Sequence, residues 1–101
     1  MKVDVKIQSV HFDADQKLLN FIQAKVDKLT QFYDRIVGGE VFLRLDKNDK
    51  AQNKIVEIKL LIPGSDLFAK KQSASFEESA DSAVEAIRRQ IVKHKGKMAV
   101  A

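Results

Sequence analysis

The residue types that carry most enzyme chemistry are sparse in this chain. His11 and His94 are the only histidines among 101 residues. They stand far apart in sequence with no partner triad around them, which gives neither a metal pair nor a nucleophile with its base. There is no cysteine, which excludes thiol catalysis, a Cys-based zinc site and a disulfide framework. Carboxylates are plentiful, but none falls where the sequence implies the desolvation that acid–base work requires. Neither GxxxxGK nor GxGxxG occurs, and Gly38-Gly39 reads more simply as a turn than as a phosphate loop. Catalysis, a metal and a cofactor therefore have no support. The constellation that rises above background is basic: Lys25 and Lys28, then Lys70 and Lys71, then Arg88, Arg89, Lys93, Lys95 and Lys97 with His94 among them. Residues 88–97 hold five Lys or Arg and no acid. The chemistry open to such a set is contact with phosphates, which positions a protein on a nucleic acid without reading its bases.

Composition agrees with that direction. The formal charge is +4, from 18 Lys or Arg against 14 Asp or Glu, which favours a polyanionic partner without requiring one. A hydrophobic fraction of 45% predicts a real core, and the length suits one domain, expected over residues 1–97 with a short frayed tail at 98–101. The opening MKVDVKIQSV alternates apolar with polar residues, and no run approaches the roughly 18 apolar residues of a membrane span. The expectation is a soluble, cytoplasmic protein.

Elements must place these cations. Val3, Val5 and Ile7 alternate with polar neighbours and predict a strand with one buried face. From residue 16 to about 33, Leu18, Leu19, Ile22, Val26, Leu29 and Tyr33 form one helical stripe, with Asp15, or second to it Asp13, placed to cap the first turn. Phe21 and Phe32 flank that stripe on the side of Lys25 and Lys28, where aromatic rings could stack on bases, but at this spacing the simpler assignment of both is the margin of the core. A second strand is predicted from Val41 to Leu45, after a Gly38-Gly39 turn, with Phe42 and Arg44 facing out. The polar residues 46–53 read as a mobile hairpin loop, followed by a third strand from Lys54. Pro63-Gly64-Ser65 is a turn signal, and a fourth strand follows over residues 66–73. In the last helix Phe76, Ala80, Ala83, Val84, Ile87 and Ile91 recur at three- and four-residue steps, while the opposite face passes from acid (Glu77, Glu78, Asp81, Glu85) to base. That polarity suits the helix macrodipole, but a dipole needs no cluster of five cations.

The order strand, helix, three strands, helix predicts an α+β fold, β-α-β-β-β-α. It is a four-stranded mixed sheet with both helices packed on one face. Side by side, the helices could join the basic clusters into one tract. No aromatic-rich strand of the RNA-recognition type is present. A double-stranded-RNA-binding domain is closer in architecture, but its second helix starts with lysines, whereas this one starts with Glu77, Glu78 and Asp81.

Two stretches carry a family resemblance. AKVDKLTQFYDRI, residues 24–36, resembles the AKxxKLxxxxDRI pattern of the ribosome hibernation-promoting factors and ribosome-associated inhibitors, and RRQIVKHKGK, residues 88–97, resembles the end of their last helix. The likeness spans nearly the whole chain and is to the family's short form, since the chain stops soon after that helix. The resemblance implies a non-enzymatic protein, monomeric when free, that binds rRNA and ribosomal proteins in the decoding channel of the small ribosomal subunit. There it excludes mRNA and tRNA and stops translation in stationary phase or stress, with no small-molecule substrate and no membrane. It assigns basic contacts to Lys25, Lys28, Arg89, Lys93, His94, Lys95 and Lys97, to which charge placement adds Arg88, Lys70 and Lys71. Glu78, Asp81 and Glu85 are expected at an end turned away from rRNA. Two departures stand out. Ser75-Phe76-Glu77 occupies the place of the family's Asp-Met-Tyr, with Ser75 still able to cap. Lys71 stands where a small inward residue is usual, so the fourth strand is expected to end early. The alternatives are a general double-stranded-RNA binder, or a protein-interaction module whose cations only solubilise it.

Overall fold

A computed structural model describes the backbone of residues 4–100 and the side chains of residues 4–95. Its elements are β1 (Val5–Ser9), α1 (Gln16–Phe32), β2 (Gly38–Leu45), β3 (Lys54–Ile62), β4 (Ser65–Ser73) and α2 (Phe76–Val100). The sheet order is β1-β2-β3-β4, with β1 parallel to β2 and the other two pairs antiparallel. This is the expected α+β arrangement. Alternation sets the two faces: Val41, Leu43, Val56, Ile58, Leu60, Leu67 and Ala69 are buried with Ile22, Val26 and Leu29 of α1 and Ala80, Ala83, Ile87 and Ile91 of α2 in one core. The opposite face carries Phe42, Arg44, Glu57, Lys59, Phe68 and Lys70, and no helix covers it.

Local chemistry explains the ends. Asp15 caps α1 by accepting from Leu18 N at 2.8 Å, and Ser75 caps α2 by accepting from Glu78 N at 3.1 Å, each satisfying a first-turn amide that the helix leaves unpaired. The loop after β2 is stitched by carboxylates, Asp46 accepting from Asn48 N and Asp49 from Ala51 N and Gln52 N, all at 2.9 Å.

Three expectations are corrected. Gly38-Gly39 is no turn: both residues belong to β2, and the glycine with positive φ is Gly64, at 77°, in the β3–β4 turn. The reason for Gly39 is close approach. A Cβ there would lie 2.6 Å from Leu60 Cδ2 and 2.7 Å from the Lys59 carbonyl oxygen. The fourth strand does not end early either. It runs through Lys71, opposite Val56, to Ser73, because pairing is a backbone property and the long lysine stem can lie along the apolar face while its ammonium reaches water. Lastly, α2 extends to Val100, past the expected end at residue 97, and the expected tail falls on positions whose side chains lie outside the described residues.

The two helices run side by side in the same direction. Phe76, at the start of α2, stacks on Phe12, just before α1, with centroids 5.2 Å apart. Farther along, Lys25 meets Asp81, and Phe32 meets Arg88 and Lys95. Both N-termini, with Asp13, Asp15, Glu77 and Glu78, therefore share one end of the molecule, and both C-termini share the other.

Candidate nucleic-acid interface

That parallel packing converts two separate sequence clusters into one basic end. Lys28 sits one turn before Phe32 on α1, and Lys25, Lys28, Leu29, Phe32, Val84, Glu85 and Arg88 line a groove of about 310 Å³ between the helices. At its far end the Arg88 guanidinium carbon lies 5.4 Å from the Phe32 ring centroid and the Lys95 ammonium 4.9 Å from it. Lys95 is also 6.0 Å from the Tyr33 centroid, and with Arg35 it borders the hollow beyond the end of α1. His94 packs edge-on against Tyr33 at 6.2 Å, so it closes the core at this end. The buried Tyr33 hydroxyl has no hydrogen-bond partner among the described residues.

The cations are not equally free. Lys25 Nζ is 2.9 Å from Asp81 Oδ1, and Glu85 faces both Arg88 at 3.8 Å and Arg89 at 3.6 Å. Asp81 and Glu85 thus do not stand apart from the basic tract, as the sequence reading expected, but are interleaved with it. For Glu85 the i, i+3 and i, i+4 spacing to Arg88 and Arg89 makes that unavoidable on a helix, while Asp81 reaches across to Lys25 of α1. Such exposed pairs are worth only about 0.2–1 kcal/mol, so a phosphate can displace them. Among the described residues, Lys28, Lys93 and Lys95 make no ion pair.

The structure also separates residues that the sequence grouped. Lys93 follows Ala86 and Gln90 at steps of four and three, on the flank of α2 turned toward β4, where the Gln90 amide bonds the Phe68 carbonyl at 2.7 Å. Arg89 lies on the outer face. Lys70 pairs in register with Glu57 and Lys71 with Val56, so the two point to opposite faces of the sheet. Because α2 returns antiparallel to β4, meeting Ser73 at Ser79 and Phe68 at Gln90, both lysines stand between those two contacts, short of Lys95. Lys70 instead lies near Asp46. That carboxyl is held below its ordinary value chiefly by the Asn48 N–H and next by the Gln72 amide, with a smaller attraction from Lys70. Lys97 carries a side chain outside the described residues.

Two further participants stand at the basic end, of which Arg35 was not singled out from the sequence. Arg35 lies within the DRI part of the first motif, and Phe32, assigned to the core margin, keeps 37% of its surface exposed between cations. Phe21 is where that assignment put it, packed against the core under Lys25 at 5.3 Å. Among the described residues, no group of three or more His, Asp or Glu side chains converges as a metal site, and no helix is long and apolar enough to cross a membrane.

Known proteins resemble this chain throughout its length. The family model for the sigma 54 modulation protein / S30EA ribosomal protein matches residues 5–99. A ribosome hibernation promoting factor of Pseudomonas putida is 27% identical over 95 residues, covering 94% of this chain and 89% of that protein. Its namesake in Escherichia coli K12 is 24% identical over 96 residues, covering 95% and 97%. In fold, the chain superimposes on a ribosomal subunit interface protein from Coxiella burnetii with TM-score 0.82 at 19% identity, covering 93% of this chain and 99% of that one. The N-terminal domain of Thermus thermophilus Protein Y gives TM-score 0.75 at 18% identity, with the same coverage.

Proposed function

The chain belongs to the sigma 54 modulation protein / S30EA ribosomal protein family, and from that premise we propose that it is a ribosome hibernation factor acting without catalysis. It binds the decoding channel of the small ribosomal subunit, occupies space needed by mRNA and tRNA, and so stops translation in stationary phase or under stress. Its place of action is the cytoplasm, its partners are rRNA and ribosomal proteins, and it acts as a monomer in residues 1–97. The observation that carries this reading is the parallel pairing of α1 and α2, which gathers Lys28, Arg88 and Lys95 at one end of a rigid domain. Arg35, Arg89 and Lys93 surround them, and Lys25 joins once Asp81 is displaced. His94 supports the end by packing, and Lys97 extends the run by sequence. The names of the relatives from Pseudomonas putida and Escherichia coli support the biological setting.

A binder of this kind exchanges condensed counterions for its own cations. Neutralising about six phosphates gives a log–log salt slope of magnitude roughly 4 to 5. Co-sedimentation with purified small subunits across a salt series measures it. The expected result is tight association at low salt that falls with that slope. No association at low salt, or equal affinity for a naked RNA duplex, would refute the proposal.

A further inference from the structure

We propose that Phe32 is a stacking platform for one unpaired RNA base, so that the inter-helix groove takes a flipped-out nucleotide and not phosphates alone. The inference rests on the ribosome-binding reading and deepens it. Three observations carry it. Phe32 ends α1 with 37% of its surface exposed, although its neighbours Leu29 and Tyr33 are buried, so the ring is a wall of the groove rather than core. The groove floor is apolar, from Leu29 and Val84, while Lys25, Lys28 and Arg88 line its rim. The ring is already engaged by two cations, Arg88 at 5.4 Å and Lys95 at 4.9 Å, which are the groups needed for the phosphates on either side of an extruded nucleotide.

Relative strength decides what occupies the ring when RNA arrives. Stacking of a base on an aromatic side chain is worth roughly 5- to 150-fold in affinity. An exposed cation–π contact is worth about 2- to 5-fold. A base therefore displaces Lys95 or Arg88 from the ring, and the released cation moves to a phosphate, where it gains rather than loses. The occupant is an unpaired nucleotide because a base in a duplex has both faces stacked already. Stacking tolerates any base, so this subsite adds affinity for a bulged or looped nucleotide without demanding a sequence.

The chain contains no tryptophan, so the emission that Phe32→Trp adds over a matched mixture with the wild-type protein reports on this one position. With purified small subunits, this added emission of Phe32→Trp should be quenched in the complex. Heparin, a polyanion without bases, should occupy the cations and leave the emission unquenched. Phe32→Ala should lower subunit affinity by roughly 5- to 150-fold with the salt slope unchanged, because no phosphate contact is removed. A Phe32→Ala protein of wild-type affinity overturns the inference, as does unquenched emission in a Phe32→Trp complex that forms, or equal quenching by heparin. A wild-type protein that fails to bind small subunits overturns the functional reading as well, whereas wild-type binding with the expected salt slope confines a negative result to the stacking subsite.

Discussion

The hydroxyl of Ser79 is fully buried and donates to the Lys54 carbonyl at 2.6 Å, while lying 2.7 Å from the Ser73 hydroxyl. Ser73 in turn reaches the Ser75 carbonyl at 2.8 Å. Two protons serve three contacts, so if Ser79 donates to Lys54, Ser73 is the donor of the pair or bonds Ser75 instead. This network ties the first turn of α2 to the start of β3 and the end of β4. Ser79→Ala removes the donor and strands a backbone acceptor, a loss of about 1–3 kcal/mol. At about 4–8 °C per kcal/mol for a domain of this size, thermal denaturation followed by circular dichroism should show a drop of several degrees or more, with small-subunit binding unchanged below the transition. Nothing in the sequence flagged Ser79, because an apolar stripe read at three- and four-residue steps passes over a serine. Phe32 was visible as an aromatic beside lysines, but its exposure depends on where the second helix lies. That position is a tertiary fact, absent from the pattern of a single helix.

At the scale of elements, periodicity and turn chemistry located both helices and all four strands, and Asp15 and Ser75 cap the helices as their side chains suggest. The glycine pair shows where that reasoning stops. Glycine advertises conformational freedom, but at Gly39 what matters is the missing side chain: β3 passes so near that any Cβ would strike the Lys59 carbonyl and Leu60. Gly39→Ala forces a backbone atom, not a flexible side-chain tip, to move. We expect about 1–3 kcal/mol of destabilisation, read as a lower urea midpoint with an unchanged m-value. Register is equally silent in the sequence. Lys70 and Lys71 are neighbours in the chain, but a strand sends them to opposite faces, and the antiparallel return of α2 sets them level with the stretch between Ser79 and Gln90, short of Lys95. Gln90, unremarkable in sequence, fastens α2 to the exposed edge of β4. Its amide nitrogen donates to the Phe68 carbonyl at 2.7 Å and its oxygen accepts the Phe68 N–H at 3.3 Å. An edge strand satisfied in this way is less open to pairing with another chain.

For the molecule as a whole, two adjacent helices pointing the same way bring four ends into two groups. The partial negative charge of the α1 C-terminus, at Phe32, falls where a phosphate is proposed to bind, and it would repel that phosphate if left bare. Cations at that end are therefore needed by the geometry before any ligand arrives, which is why dipole stabilisation and phosphate binding could not be told apart from one helix alone. Charge reversal separates the two ends. Lys28→Glu with Lys95→Glu should abolish small-subunit binding, whereas Lys70→Glu with Lys71→Glu should leave it within about two- to threefold, as expected for charges outside the contact surface. Co-sedimentation of both double variants, with matched circular dichroism spectra, checks this. Equal losses would mean that the sheet-edge lysines also touch RNA.

The shared direction of the helices has a kinetic side as well. With Asp13, Asp15, Glu77 and Glu78 at one end of the helix pair and Lys28, Arg88 and Lys95 toward the other, a particle 46 Å long has a head and a tail. In the field of a polyanion such a particle feels a torque before it feels contact. Under the proposed function it would turn as it approaches and present its basic end to the mouth of a negatively lined channel, so that orientation is settled during diffusion instead of by trial after collision.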